Sequence, residues 1–156
     1  MISVGDKAPQ INLKDTDGNT VKLSDLKGKR VVLYFYPRDL TPGCTQEACA
    51  FQSDLAKIEK KNAVVIGVST DNEKTHQRFR EKYDLTFPLL CDTGHRLAEA
   101  YGVWQEKSMY GRKMWGVKRM TFIIDEGGRI AHVFAKVSPA SHSREVLETL
   151  DELRAK

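Results

Sequence analysis

The sequence predicts an α/β protein: a central mixed sheet with helices on both faces and a β-hairpin added at the N-terminus. Three observations carry this. Two continuous apolar runs, Val31–Tyr36 and Ala63–Val68, flank a helix-periodic run from Thr45 to Lys60, which is the pattern of a βαβ unit. RMTFIID (119–125) and RIAHVF (129–134) are separated only by Glu126-Gly127-Gly128, which is a tight antiparallel return. Between residues 11 and 23, apolar and polar residues alternate on either side of a turn cluster.

Taken in order, Gly5–Pro9 reads as an extended arm, because a residue before proline avoids the helical region. Ile11 and Leu13, then Val21 and Leu23, form the hairpin around Asp15-Thr16-Asp17-Gly18-Asn19. Ser24–Leu26 makes one helical turn that Gly28 ends. Val31–Tyr36 is a strand buried on both faces, rich in β-branched and aromatic residues. Ala48, Phe51, Leu55 and Ile58 then recur at helical spacing, and Ala63–Val68 closes the crossover, which sterics make right-handed. Asp71–Tyr83 reads as a charged helix with Phe79 and Tyr83 on one face. Phe87–Leu90 is a short strand, Asp92–Gly94 a turn, and Arg96–Tyr101 a short helix stopped by Gly102. Val103–Val117 reads as an irregular, aromatic-rich loop packed over the neighbouring site. Ser141–Arg154 is a closing helix with Val146, Leu147, Leu150 and Leu153 on one face. A βαβ unit followed by a ββα unit is the thioredoxin topology.

Bulk properties bound the function. At 156 residues the chain reads as one domain, residues 1–156, long enough to bury a core. A composition of 40% hydrophobic and 29% charged residues is that of a globular protein rather than a disordered one. The net charge of +4 is interspersed, with no basic block to argue for nucleic acid. Apolar runs fall far short of the roughly 20 residues of a membrane span. MISVGDKAPQ lacks the basic and apolar regions of a secretory signal. Three cysteines are too few for a disulfide scaffold. The expected compartment is therefore the cytoplasm, with thiols reduced or transiently oxidised.

The chemistry concentrates in Pro37–Cys49, PRDLTPGCTQEAC, where the first buried strand hands over to a helix. In open sheets, sites lie beyond the carboxyl ends of parallel strands. With Thr41 as N-cap and Pro42 at the first helical position, Cys44 falls in the first turn, where free N–H groups and the helix dipole favour an anion. A thiolate there is a nucleophile for electrophilic oxygen or sulfur. Gly43 lets another group approach the backbone. Cys49 is five residues on. In an ideal helix that is about 8–9 Å between Cα atoms, beyond the roughly 4.4–6.8 Å of a disulfide. A Cys44–Cys49 bond therefore requires the helix start to unwind, which suits a catalytic intermediate better than a staple. Cys91 ends a strand and reads as an ordinary buried cysteine. C-x4-C lies at the edge of zinc spacing, and His76, His95, His132 and His142 are scattered singly, so no metal is expected. Arg119 begins a strand near the turn, where its guanidinium reaches either Cys44 or solvent.

The chain resembles the peroxiredoxins. Pro37-x3-Thr41-x2-Cys44 matches that family's motif, and TPGCTQEAC, with its second cysteine, is similar to the bacterioferritin-comigratory, or PrxQ, branch. VGDKAPQINLKDTDGNTVKLSDLKGK, VVLYFYP, YGVWQEKSMYGRKMWGV and RMTFIID extend the likeness over nearly the whole chain. The resemblance implies a thioredoxin fold of peroxiredoxin type. It implies an antioxidant thiol peroxidase that reduces hydrogen peroxide and organic hydroperoxides, with Cys44 peroxidatic and Cys49 resolving. Pro37, Thr41 and Arg119 would shape the peroxide pocket. Thioredoxin is the implied reductant and a monomer the implied state, with no cofactor required. Two rival readings stand beside it: a thiol–disulfide oxidoreductase acting on proteins, which shares the fold but would more naturally carry C-x-x-C, and a non-enzymatic redox-sensing or chaperone-like binding module.

Overall fold

The structure is a computed structural model, and it describes residues 2–154. After the N-terminal arm, β1 (Asn12–Lys14) and β2 (Thr20–Lys22) pair as an antiparallel hairpin, followed by a 3-10 turn at Leu23–Leu26. Then come β3 (Arg30–Phe35), α1 (Pro42–Lys60), β4 (Ala63–Ser69), α2 (Glu73–Tyr83), β5 (Leu89–Cys91) and α3 (Arg96–Ala100). The second half runs β6 (Trp104–Met109), β7 (Arg112–Val117), β8 (Met120–Ile124), β9 (Ile130–Phe134) and α4 (His142–Arg154).

The central sheet has the order β5-β4-β3-β8-β9. β3, β4 and β5 run parallel, while β8 and β9 are antiparallel, so the sheet is mixed as expected. Every residue of β3 is buried, because both sheet faces are covered. Val32, Tyr34 and Tyr36 point into a core with Ala48, Phe51 and Ile58 of α1, Phe79 of α2, and Val146 and Leu150 of α4. Val31, Leu33 and Phe35 point the other way, onto Leu97 and Ala98 of α3 and onto Ile11 and Leu23 of the N-terminal hairpin. Three helices thus lie on one face, and one helix with the hairpin lies on the other. Arg80 of α2 donates to Thr16 and Asp17 at 2.9 and 2.8 Å, which pins the hairpin's turn. Gly67 in β4 is a packing requirement: a Cβ there would meet the Tyr34 ring at 2.9 Å. Among the described residues, no helix is long and apolar enough to cross a membrane.

The segment 103–117 differs from expectation. It is a regular antiparallel hairpin, β6–β7, in register from Trp104↔Val117 to Met109↔Arg112. Its two-residue turn, Tyr110-Gly111, has φ of 52° and 76°, the double positive φ of a tight hairpin turn. It is also not a closed lid. Tyr110 is 98% exposed, and Met114 and Trp115 are more than half exposed. The strand pattern is hard to read because β7 is exposed from Arg112 to Trp115, so no inward face imposes alternation.

Candidate active site

β3 ends at Phe35, and the chain crosses from Tyr36 to Thr41 before α1 begins. Thr41 has the extended backbone of an N-cap, and Pro42 opens the helix. The Thr41 side chain does not cap. Its hydroxyl donates instead to the Arg38 carbonyl at 2.9 Å, which leaves the oxygen's lone pairs as acceptors. Cys44 sits in the first turn and is 1% exposed. Arg119, just before β8, reaches across and donates from Nη2 to Cys44 Sγ at 3.2 Å. Gly43 makes that approach easy, since a Cβ there would stand 3.3 Å from Arg119 Nη2. Sequence position alone left Arg119 between solvent and sulfur. The register of β8 beside β3 brings it to the sulfur.

Glu47 was not anticipated. It lies one helical turn beyond Cys44, is wholly buried, and pairs through Oε1 with Arg119 Nη1 at 2.6 Å. Its other oxygen has no partner among the described residues. Burial lifts its pKa to about 7, against the downward pull of Arg119. Burial also works against the Arg119 charge, but Glu47 and Cys44 outweigh it and the guanidinium's pKa is raised. One cation therefore serves two acceptors. The signal for Glu47 was present in the sequence: it shares the helix face of Cys44, Ala48 and Phe51, where a charge needs a partner. His142, from the start of α4, lies behind this group with Nε2 2.8 Å from the Thr121 hydroxyl. Burial and then Arg119 push its pKa down to about 4, so it is neutral at pH 7.

Glu47 and His142 make opposite contributions to stability across pH. Glu47 binds its proton more tightly folded than unfolded, so its contribution falls as pH rises from 4.5 to about 7. His142 binds its proton less tightly when folded, so its contribution is lost as pH falls from 6.5 to about 4. Glu47→Gln removes only the first. The thermal midpoint of wild type minus that of the variant should therefore decline between pH 5 and pH 7 and level off above it. A pH-independent difference in melting scans would show that Glu47 does not titrate there.

Cys44, Cys49 and Cys91 are all free of disulfides. Cys49 is half-buried in the unbroken helix α1, with its pKa raised by burial. Cys91, at the end of β5, is pushed up to about 11, first by burial and then by Glu73, Asp39, Asp15 and Asp71. That environment keeps it a thiol. Pro37 and Thr41 line a cleft of about 840 Å³ together with Trp104, Lys107, Trp115 and Val117, so the β6–β7 hairpin forms one wall of it. Lys107 has its pKa lowered, by burial first and then by Arg119.

The geometry agrees with the comparisons to known proteins. The AhpC/TSA family model matches residues 4–133. The chain belongs to the AhpC/TSA family. It is 48% identical to the peroxiredoxin Bcp of Bacillus subtilis over 155 residues, 99% of each chain. It is 42% identical to the peroxiredoxin Bcp of Escherichia coli K12, over 97% of each. Among solved structures, a PrxQ mutant from Xylella fastidiosa superposes with a TM-score of 0.94 at 36% identity, covering 100% of this chain and 99% of that one. The bacterioferritin comigratory protein of Xanthomonas campestris, studied for alkyl peroxide reduction, gives 0.91 at 34% identity over 99% and 100%. The fold is thus the thioredoxin fold of the peroxiredoxins, and the chain is a thiol peroxidase of the Bcp/PrxQ kind. These relationships do not favour a protein thiol–disulfide oxidoreductase.

Proposed function

We propose that the chain is a single peroxiredoxin domain in which Cys44 reduces hydrogen peroxide and organic hydroperoxides and Cys49 resolves the product. The observation that carries this is the Arg119 guanidinium 3.2 Å from a cysteine sulfur at a helix start. The Cys44 thiolate attacks one peroxide oxygen in line with the O–O bond. An S–O bond forms, the O–O bond breaks, and the departing oxygen takes up a proton and leaves as water or alcohol. Arg119 and the free N–H groups of the first turn face the charge moving onto that oxygen. The Thr41 oxygen can accept the peroxide O–H, and Pro37 walls the pocket. Cys44 is now a sulfenic acid.

The first turns of α1 then unwind. The Cys49 sulfur attacks Cys44, hydroxide leaves and is protonated to water, and a disulfide forms. A thioredoxin dithiol reduces it by exchange, and α1 reforms. We place the chain in the cytoplasm as a monomer, from its resemblance to this branch.

The test couples peroxide consumption to thioredoxin, thioredoxin reductase and NADPH. Cys49→Ser should react once with peroxide and then recycle poorly, because no neighbouring thiol traps the sulfenic acid. Cys91→Ser should turn over near the wild-type rate. A collapse in Cys91→Ser alone would move the resolving role away from Cys49. Strong insulin reduction without peroxide turnover would return the protein to the oxidoreductase reading.

A further inference from the structure

Asp39, five residues before Cys44, belongs to a buried group that the peroxide chemistry described above does not use. Asp39 and His76 have wholly buried side chains and meet at 2.6 Å between Oδ2 and Nδ1. Tyr36 donates its hydroxyl to the other Asp39 oxygen at 2.6 Å. The second ring nitrogen of His76, Nε2, stands 2.9 Å from the Leu90 carbonyl. The Asp39 backbone N–H donates to Asp71 at 2.8 Å, and Asp71 is held in turn by the Ser69 hydroxyl at 2.6 Å. Asp39 belongs to the loop between β3 and α1, His76 to α2, Leu90 to β5, and Ser69 to the end of β4.

The partners settle where the protons are. A carbonyl oxygen only accepts, so Nε2 must carry hydrogen. Nδ1 then faces a carboxylate oxygen that also accepts. Two lone pairs do not rest 2.6 Å apart, so one further proton lies between them. Asp39, Asp71 and His76 also offer ligand-type atoms within 4.8 Å of one another. An ion between Oδ2 and Nδ1, each about 2.0–2.2 Å from it, would hold them roughly 3 Å or more apart. The 2.6 Å contact is a proton bridge instead.

We infer that His76 is a positioning residue for the peroxide reaction, acting through a buried proton shared with Asp39 that clamps the loop carrying Pro37 and Thr41. The loop carries a mark of this restraint. Leu40, next to Asp39, has a φ of 63°, a left-handed conformation that costs a leucine energy and persists only where its neighbours are held. The clamp fixes both the side chain and the backbone of Asp39, two residues before the helix cap. It therefore presents the pocket in one geometry. It also anchors the near end of the segment that must unwind for Cys49 to reach Cys44. Releasing it should have opposite effects on the two steps: a poorer peroxide pocket and an easier opening. A residue that merely stabilised the fold would leave both rates unchanged in the molecules that remain folded.

The kinetic part rests on Cys44 and Cys49 having the roles proposed above, whereas the proton bridge does not. The test accordingly has two arms. Proton and nitrogen NMR of the reduced, histidine-labelled protein should show a far-downfield, slowly exchanging proton at His76 Nδ1, lost in Asp39→Asn while the Nε2 proton remains. A bare Nδ1 in the wild type would overturn the proposal, whatever the enzyme's activity. Rapid-mixing kinetics with hydrogen peroxide should show His76→Leu reacting about ten-fold more slowly yet forming its disulfide faster than wild type. Asp39→Asn can still bridge Tyr36 and a neutral His76, so it should fall between wild type and Asp39→Ala. Wild-type rates for both steps in folded His76→Leu would overturn the positioning role. Should His76→Leu fail to fold, the order of the two Asp39 variants and the NMR signal decide the matter. Absence of any peroxide reaction in the wild type would defeat the functional reading and leave the bridge standing.

Discussion

Cys44→Ser should abolish peroxide turnover, leaving consumption at the level of the enzyme-free control. The substitution exchanges a sulfur for an oxygen of similar reach at a position that is 1% exposed and already receives a hydrogen bond from Arg119. The hydroxyl accepts that bond, so the fold and the guanidinium stay in place. What disappears is the nucleophile. Sulfur is intrinsically the stronger nucleophile, whereas a serine hydroxyl needs an adjacent general base. The nearest candidates do not serve. His142 directs Nε2 to Thr121, Glu47 gives Oε1 to Arg119, and neither makes a hydrogen bond to Cys44. Serine therefore has nothing to take its proton. The measurement is coupled NADPH oxidation alongside a thermal unfolding scan. A correctly folded Cys44→Ser protein that still turned over peroxide would put the attacking sulfur elsewhere, with Cys49 and Cys91 the remaining thiols. Their environments argue against that, because burial raises both, and four carboxylates press further on Cys91.

The sequence carried the scaffold because its signals are local. The run Val31–Tyr36 has no polar position, which only a strand covered on both faces explains, and β3 is buried throughout. The thiol at the helix start was equally legible, since Thr-Pro before it sets the cap and the first turn. Contacts across the chain were less so. Arg119 meets Cys44 over a separation of 75 residues, and only the family motif singled it out beforehand. Glu47 was passed over although its helix face was plain. His76 read as one of four scattered histidines, and Asp39, 37 residues away, went unmarked until the fold joined them. Asp71 was expected inside a helix, but Asn72 caps that helix and Asp71 stays outside to receive the Asp39 amide. The β6–β7 hairpin was missed for another reason: most of its residues bury nothing, so periodicity had no face to report.

Arg119→Met should slow the reaction with peroxide by roughly 10²–10³-fold, the usual loss when a preorganised donor to developing charge is removed. Methionine keeps much of the side chain's length and apolar packing, and Arg119 is only half-buried, so the loss should be chemical rather than structural. The effect has two sources. The sulfur loses a charged donor at 3.2 Å, and the leaving oxygen loses the cation facing it. Glu47 is then left buried without the charge that pulls its pKa down, so it should hold its proton to higher pH than the wild-type value of about 7. A neutral Glu47 avoids the full cost of an unpaired buried charge, which is why the variant should still fold. Arg119→Lys separates the two jobs. An ammonium keeps the charge but offers a single point in place of a fork, so it can serve Glu47 or Cys44 well, not both. Its rate should fall between those of methionine and arginine. Single-turnover oxidation of reduced protein by hydrogen peroxide measures this step directly, free of Cys49 and the reductant. If Arg119→Met reacted as fast as wild type, the bond to Cys44 would be a packing contact and the helix start alone would have to activate the thiol. The order arginine, lysine, methionine is expected only if one guanidinium has to bridge carboxylate and sulfur at once.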